Sequence, residues 1–187
     1  MKHRRVLALG LCLALLNTLM AREARAQTGH PLQLGAGYQF LHESFERGGQ
    51  SFPVGAYVEV EQQVRADAVK AWTWIGQVDG GFRSENGLSE QIYTFLGGAR
   101  LASNTRARWT PSGFGLIGLA TLNTSCTDYC AGSTNGVALQ GGFAMTTRIN
   151  RSTLLDVTFK ATKLEVDGQG LFNAAVAGGI RLNLNGR

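Results

Sequence analysis

The chain has 187 residues, of which 17 % are charged, and a formal net charge of +5. The first 26 residues hold five of its 18 Lys and Arg residues and one of its 13 Asp and Glu residues, which leaves 13 basic and 12 acidic residues in the remainder. This near-neutral remainder has no basic patch with interleaved aromatic residues, so we expect no nucleic-acid partner.

The amino-terminal segment has the three parts of a secretory signal peptide. A basic start at Lys2 to Arg5 precedes an apolar run from Val6 to Leu16, and Ala24-Arg25-Ala26 forms a small-x-small cleavage site. The apolar run is shorter than the ~20 residues that a membrane-spanning helix needs. We therefore predict that residues 1–26 are a cleaved signal peptide and that residues 27–187 form one domain.

Most of this domain alternates apolar with small or polar residues at a period of two, which is typical of strands with one apolar face. The clearest case is Phe172 to Leu184, where every second residue from Phe172 onward is apolar or glycine. Six other segments share the pattern, and their apolar faces begin at Leu32, Val54, Trp72, Tyr93, Val137 and Leu155.

The segment from Trp109 to Asn123 is ambiguous, because Phe114 to Leu119 is apolar on both faces. Three glycines within six residues disfavour a buried helix there. We predict an eighth strand, with the outward residues Phe114, Leu116, Ala120 and Leu122.

Eight strands of about ten residues have the length that a tilted strand needs to cross a bilayer. We predict short turns at residues 64–68, 103–106 and 150–151, and longer connections at 42–52, 83–89, 123–135 and 165–170. Short turns on one side and longer loops on the other are typical of transmembrane barrels. The predicted fold is all-β: an eight-stranded antiparallel up-and-down transmembrane β-barrel, monomeric and in contact with the lipid of the bacterial outer membrane.

The position of the charges indicates which face is inside. An eight-stranded barrel has an interior just wide enough for side chains, and glycine, alanine and charged residues share the polar faces of the strands. Charges in such an interior have to be paired. We predict an interior ion-pair network that closes the barrel, formed by Glu59, Glu61, Asp79, Arg100, Arg148, Asp156, Lys160 and Arg181. We also predict aromatic residues at the membrane–water interfaces: Tyr38, Trp72, Trp74, Tyr93 and Phe172.

Two short motifs outside the strand pattern suggest chemistry. Cys126 and Cys130 lie in the longest predicted loop of an exported chain, which favours a disulfide. His42 and Ser44 would share a face of an extended segment, as a catalytic pair requires, but a polar surface loop is the simpler interpretation. We predict no catalytic residue, metal site or cofactor.

Three segments resemble the small outer-membrane β-barrel proteins of the OmpA/OmpX type: Tyr93 to Arg100, Trp109-Thr110-Pro111 and Ala177 to Leu184. The resemblance covers residues 27–187. The closing strand is similar to the signal read by the barrel-assembly machinery, which implies that machinery as a partner during biogenesis. It differs from the usual signal in having Leu182 and Leu184 where aromatic residues are common.

Our leading hypothesis is a non-enzymatic barrel that contributes to envelope structure or presents surface loops. Three alternatives remain open at the level of the sequence. One is a lipid-modifying barrel enzyme, because some eight-stranded barrels are lipid A deacylases with a His-x-Ser pair. The second is a soluble periplasmic lipocalin-like barrel, whose apolar face would surround a ligand. The third is a narrow ion channel.

Overall fold

The computed structural model describes residues 32–44, 50–85, 87–103, 108–126, 131–166 and 169–184, and the predicted signal peptide lies outside them. Among the described residues no helix is long and apolar enough to cross a membrane. They form nine strands: β1 (Leu32–Ser44), β2 (Gln50–Phe52), β3 (Val54–Ala66), β4 (Lys70–Glu85), β5 (Leu88–Ser103), β6 (Trp109–Cys126), β7 (Ala131–Arg148), β8 (Thr153–Val166) and β9 (Gln169–Asn183).

The strands form one closed antiparallel ring. From β3 to β9 each strand pairs with the next along the chain, and β1 pairs with both β3 and β9. Long pairing between β1 and β9, from Gln33–Asn183 to Ser44–Phe172, closes the ring. The ring confirms the predicted up-and-down barrel.

The short strand β2 and the strand β3 together make the second crossing of the barrel. Both pair with β1, and one residue, Pro53, separates them. Proline has no N–H to donate to the ladder, and the register against β1 shifts by one residue between the pairs Tyr38–Ala56 and Leu41–Phe52. This bulge explains why nine strands form the predicted eight crossings.

We call the end of the barrel that carries the β3–β4, β5–β6 and β7–β8 connections the lower end, and the opposite end the upper end. The start of β1 and the end of β9 also lie at the lower end. In the β3–β4 turn, the Asp67 carboxylate accepts hydrogen bonds from the backbone N–H groups of Val69 and Lys70, at 2.8 and 2.7 Å.

Alternate residues of the long strands face outward and form an apolar belt. Large side chains of this belt, such as Val58, Phe95, Leu139 and Val176, are 49–57 % exposed. The glutamate, aspartate and glutamine residues between them are buried inside the ring. This polarity confirms the predicted faces of seven strands.

The predicted orientation of β6 was wrong. Leu116 and Ala120 are buried inside the barrel, whereas Ile117 and Leu119 are each 61 % exposed on the belt. Residues opposite each other in an antiparallel pair share a face, and Leu119 pairs with the outward Phe95. Pairing with neighbouring strands therefore fixes the face that the apolar run itself leaves undetermined.

The connections at the upper end are shorter than predicted, because the strands continue through most of the predicted loops. Pairing of β6 with β7 extends to Ser125 and Ala131, and β4 pairs with β5 up to Glu85 and Leu88. Gly87, in the two-residue connection between β4 and β5, has φ 78°, a left-handed conformation that glycine adopts readily. The upper end is thus built from projecting hairpins rather than long loops.

Candidate functional site in the barrel interior

A layer of five paired charges lies inside the lower half of the barrel. Strand alternation places Glu59 and Glu61 of β3 on the same inward face as Arg100 of β5, Asp156 of β8 and Arg181 of β9, and all five are at most 5 % exposed. Arg181 touches three carboxylates: Nε lies 3.4 Å from Glu59 Oε1, Nη1 3.0 Å from Glu61 Oε2 and Nη2 2.6 Å from Asp156 Oδ2. This guanidinium joins β9 to both β3 and β8.

Arg100 reaches the same two glutamates from the other side. Its Nη1 lies 2.8 Å from Glu61 Oε1 and its Nη2 3.5 Å from Glu59 Oε2. Its guanidinium also lies 5.6 Å from the centre of the Phe114 ring, a cation–π distance. Two arginines on opposite sides thus compensate the acidic pair of β3.

A second polar cluster surrounds Asp79 of β4. Lys160 Nζ lies 3.1 Å from Asp79 Oδ2, and Thr94 donates its hydroxyl to Asp79 Oδ1 at 2.6 Å. Gln140 donates to the same carboxylate at 3.3 Å and to Thr162 at 3.0 Å. These bonds join strands β4, β5, β7 and β8 across the interior.

Arg148 does not belong to this network, which corrects the sequence prediction. The other seven predicted charges are buried in the interior, whereas Arg148 is exposed at the last residue of β7. Alternation fixes the face of a residue but not its height along the barrel, and the end of β7 lies at the rim. The buried members of the predicted set are therefore four acids and three bases, and not an equal number of each.

Tyr57 is an interior residue that the predicted site omitted. Its side chain lies against the glycine positions 37 and 179 of β1 and β9, and Lys160 Nζ lies 5.1 Å from the centre of its ring. Tyr57 stands on the polar face of β3 together with Glu59 and Glu61. That placement, together with two glycines opposite, is the sequence signal that could have identified it.

The interior next to the upper hairpins is apolar, a feature that the predicted ion-paired lumen did not include. Leu164 and Val166 lie in the last three residues of β8 and Leu171 in the first three of β9; all three are at most 7 % exposed. They belong to one buried cluster with Leu41, Phe52, Ile75, Ile92, Leu96, Leu116, Ala120, Ala138 and Ala175. The barrel interior thus contains an ion-paired layer in its lower half, the polar cluster around Asp79, and a hydrophobic core that reaches the upper end.

At the upper end the outer surface becomes polar, whereas the interior becomes apolar. Above the apolar belt, the outward residues are polar, as at Thr121, Asn135, Lys163 and Glu165, and the Thr121 hydroxyl donates to Asn135 Oδ1 at 2.8 Å. In the upper part, therefore, apolar residues lie inside and polar residues outside, as in a water-soluble barrel. The belt ends where this reversal begins.

The predicted interface aromatic residues all face outward. Tyr38, Trp72, Trp74, Tyr93 and Phe172 are 41–57 % exposed. Trp72 and Trp74 lie near the lower end of β4, and Trp109, which the prediction omitted, lies at the lower end of β6. All three tryptophans of the chain are therefore at the lower end.

The two short motifs have different outcomes. Cys130 lies outside the described residues, so the Cys126–Cys130 disulfide stays a prediction. His42 faces outward, and its Nδ1 lies 3.0 Å from Ser51 Oγ of β2; the side chain of Ser44 also lies outside the described residues. Within the described residues no group of three or more His, Cys, Asp or Glu side chains could hold a metal ion.

An antiparallel ring with an apolar outside and a charged, filled inside defines the class: this chain has the fold of the small bacterial outer-membrane β-barrels. Neisserial surface protein A has a similar structure, with a TM-score of 0.65, 11 % identity, and coverage of 84 % of this chain and 98 % of that one.

Two further solved structures have this fold. Ail of Yersinia pestis, in complex with the heparin analogue sucrose octasulfate, matches with a TM-score of 0.55 and 12 % identity over 81 % of this chain and 98 % of that chain. A major outer membrane protein of Thermus thermophilus matches with a TM-score of 0.53 and 10 % identity over 82 % of this chain and 99 % of that chain. No family model matches the chain, and no curated protein matches it.

Proposed function

We propose that this protein is a closed, non-enzymatic outer-membrane barrel that contributes to envelope structure and presents its upper hairpins outside the cell. The observation that carries this proposal is the filled interior. The ion-paired layer around Arg181 and the apolar core around Leu164 follow each other along the barrel axis. An ion entering from either end would therefore meet packed side chains that leave no room for its water.

The proposed orientation follows from the shape of the strands. Apart from β2, they are 13–18 residues long, whereas about 9–11 residues suffice to cross a bilayer. The excess length projects at the upper end, and in barrels of this class the longer segments are extracellular. The lower end, with both ends of the barrel sequence, would then face the periplasm.

The same proposal includes the signal peptide, the disulfide and the partners. The signal peptide would direct export to the periplasm and be cleaved after Ala26. The barrel-assembly machinery would then insert the chain as a monomer in contact with outer-membrane lipid. A Cys126–Cys130 disulfide would close the tip of the β6–β7 hairpin. Mass spectrometry of the purified protein, with and without reduction, measures both modifications.

Recordings in planar bilayers test the closed state. We expect no discrete conductance steps from folded protein whose gel mobility changes on boiling. As a matched variant, Arg181→Ala with Arg100→Ala removes both guanidinium groups of the lower layer but leaves the apolar core, and it should also stay closed. Regular steps from the unmodified protein would contradict the proposal and favour a narrow channel.

A lipid-modifying enzyme is the second candidate, and the contact between His42 and Ser51 is the observation that favours it. The pair is exposed at the upper edge of the belt, where lipid headgroups would lie. Among the described residues, however, no carboxylate forms an ion pair with His42, so a third member that orients the imidazole is not in place. Acyl release from lipid A by the unmodified protein, lost in Ser51→Ala, would favour the enzyme.

A further inference from the structure

Exposed positive charges are concentrated at the lower end of the barrel. Among the described residues, five exposed side chains at this end carry a positive charge, and we call them the basic rim: Arg65, Lys70, Arg108, Arg148 and Arg151. The ion pairs among the described residues involve none of them. Asp67 is the one described acid exposed at this end; backbone N–H groups bind its carboxylate, and Arg65 and Lys70 attract it to a smaller extent. One negative charge against five positive ones leaves this end with an excess of positive charge.

The upper end has no such excess. Its described charged side chains are Arg83, Lys163, Glu85, Glu90 and Glu165, and Arg83 forms ion pairs with Glu85 and Glu90. The excess of positive charge is therefore confined to the lower end, and the near-neutral total charge of residues 27–187 does not reveal it.

The tryptophans place the basic rim at the level of lipid headgroups. Trp72 is paired with Arg65 in the β3–β4 ladder, Lys70 lies two residues before it on the same outward face, and Trp109 follows Arg108 directly. Tryptophan is enriched where a membrane meets water, with its ring among the headgroups. The cations beside these rings thus lie along the perimeter of the barrel, within reach of the surrounding lipid.

We propose that the basic rim binds the headgroups of anionic phospholipids in the membrane leaflet at the lower end. Arginine and lysine donate several hydrogen bonds to a phosphate, and one such side chain near an anionic surface favours binding by about fivefold. An anionic phospholipid brings an uncompensated phosphate, whereas a zwitterionic one carries its own ammonium group. A ring of bound anionic lipid would hold the barrel at a fixed depth. This inference does not require the barrel to be closed.

Tryptophan fluorescence measures this binding directly, because all three tryptophans lie near the lower end of the barrel. The folded protein is reconstituted in symmetric vesicles in which either brominated phosphatidylglycerol or brominated phosphatidylcholine replaces part of the lipid, since bromine quenches tryptophan. Symmetric vesicles remove any dependence on the direction of insertion. We expect a relative binding constant for phosphatidylglycerol of about 5, falling towards 1 in 1 M NaCl, where the Debye length is about 3 Å.

Two variants that each remove two positive charges provide the comparison. Lys70→Gln with Arg108→Gln changes the basic rim, and Arg83→Gln with Lys163→Gln changes the upper end. We expect the first to lose the preference for phosphatidylglycerol and the second to keep it. Heat-modifiable gel migration verifies folding, and the salt dependence of the unmodified protein decides the question if a variant does not fold.

Equal quenching by the two lipids would overturn the proposal, as would a preference that both variants retain. If phosphatidylglycerol is not preferred but an acidic polypeptide such as polyglutamate binds and the rim variant loses that binding, the partner is an acidic protein and not lipid. Conductance steps would contradict the closed barrel proposed above without changing any of these outcomes.

Discussion

Tyr57 lies against Gly179 inside the barrel, with its hydroxyl in the space that a Cβ atom of residue 179 would need. The aromatic ring of Tyr57 lies across β1, the strand between β3 and β9, and covers Gly37 of that strand. Aromatic side chains placed over strand glycines replace the packing that glycine lacks. The contact stabilises the barrel where its first and last strands, β1 and β9, pair with each other.

Gly179→Ala should therefore destabilise the barrel. The new methyl group would meet the Tyr57 hydroxyl and also the backbone oxygen of Ala36, at 2.7 Å, and such overpacking costs about 1–3 kcal/mol. Gly178→Ala is the matched control, because Gly178 faces outward and nothing lies within 4 Å of its would-be Cβ. Equilibrium unfolding in urea with lipid vesicles measures both; equal stabilities of the two variants would show that the Tyr57 contact does not constrain residue 179.

Arg181→Met should be among the most damaging single substitutions. It removes one charge from contact with three buried carboxylates, and removing one partner of a buried ion pair costs about 3–5 kcal/mol. Arg148→Met removes the same charge at the exposed rim and should change the free energy of unfolding by less than about 1 kcal/mol. A loss of similar size in both variants would contradict the separation of Arg148 from the interior network.

Asp67 should titrate below its ordinary pKa. The backbone N–H groups of Val69 and Lys70 stabilise its carboxylate and lower its pKa below the ordinary value of 3.8. Since the pKa is lower in the folded state, the carboxylate contributes stability above the unfolded-state pKa, and this contribution is lost as the pH falls through the folded-state pKa.

Carboxyl chemical shifts measured by NMR during an acid titration give this pKa. A midpoint at or above 3.8 would contradict the hydrogen bonds in the turn. Asp67→Asn keeps an oxygen acceptor in the turn. It should remove the pH-dependent contribution of this residue to stability while leaving the β3–β4 connection folded. Asp67→Ala removes the acceptor as well and should weaken the turn at every pH.

Substitution along one face of β8 should locate the edge of the apolar belt. Val157 and Glu165 both face outward on that strand, but Val157 lies within the belt and Glu165 above it. Val157→Arg should lower the free energy of unfolding by about 2–4 kcal/mol if it lies near the bilayer midplane, and Glu165→Arg by about 0–1 kcal/mol. Refolding titrations in phospholipid vesicles supply both values, and an equal cost at the two positions would place the belt elsewhere.

The alternation of residue types was sufficient to predict the ring and most of its faces. Each strand such as β9 carries bulky apolar residues on one side and residues like Asn173 and Arg181 on the other, and this contrast is local. Alternation could not predict which face of a strand points outward where both faces are apolar, as in Phe114 to Leu119. There the face depends on pairing with β5 and β7, which alternation within one segment does not contain.

Height along the barrel axis was the other property that alternation could not supply. Arg148 was assigned to the inward face, yet it lies at the rim because β7 ends there. Asn123 and Asn135 were the ends of a predicted loop, but they are outward residues of the paired strands β6 and β7 above the apolar belt. The buried residues beside them, such as Ala120, belong to the upper core, a region whose polarity is the reverse of that in the belt.

The orientation of β6 can be tested with two adjacent residues. Leu116 is 2 % exposed and packs in the interior core, so Leu116→Ala should create a cavity and lower the free energy of unfolding by about 2–5 kcal/mol. Ile117 is 61 % exposed on the belt, where lipid can fill the space left by truncation, so Ile117→Ala should cost clearly less. Urea unfolding in vesicles ranks the two variants, with Tyr38→Ala as a second belt position for comparison. If Ile117→Ala proved the more damaging, β6 would face the other way and Leu116 would contact lipid.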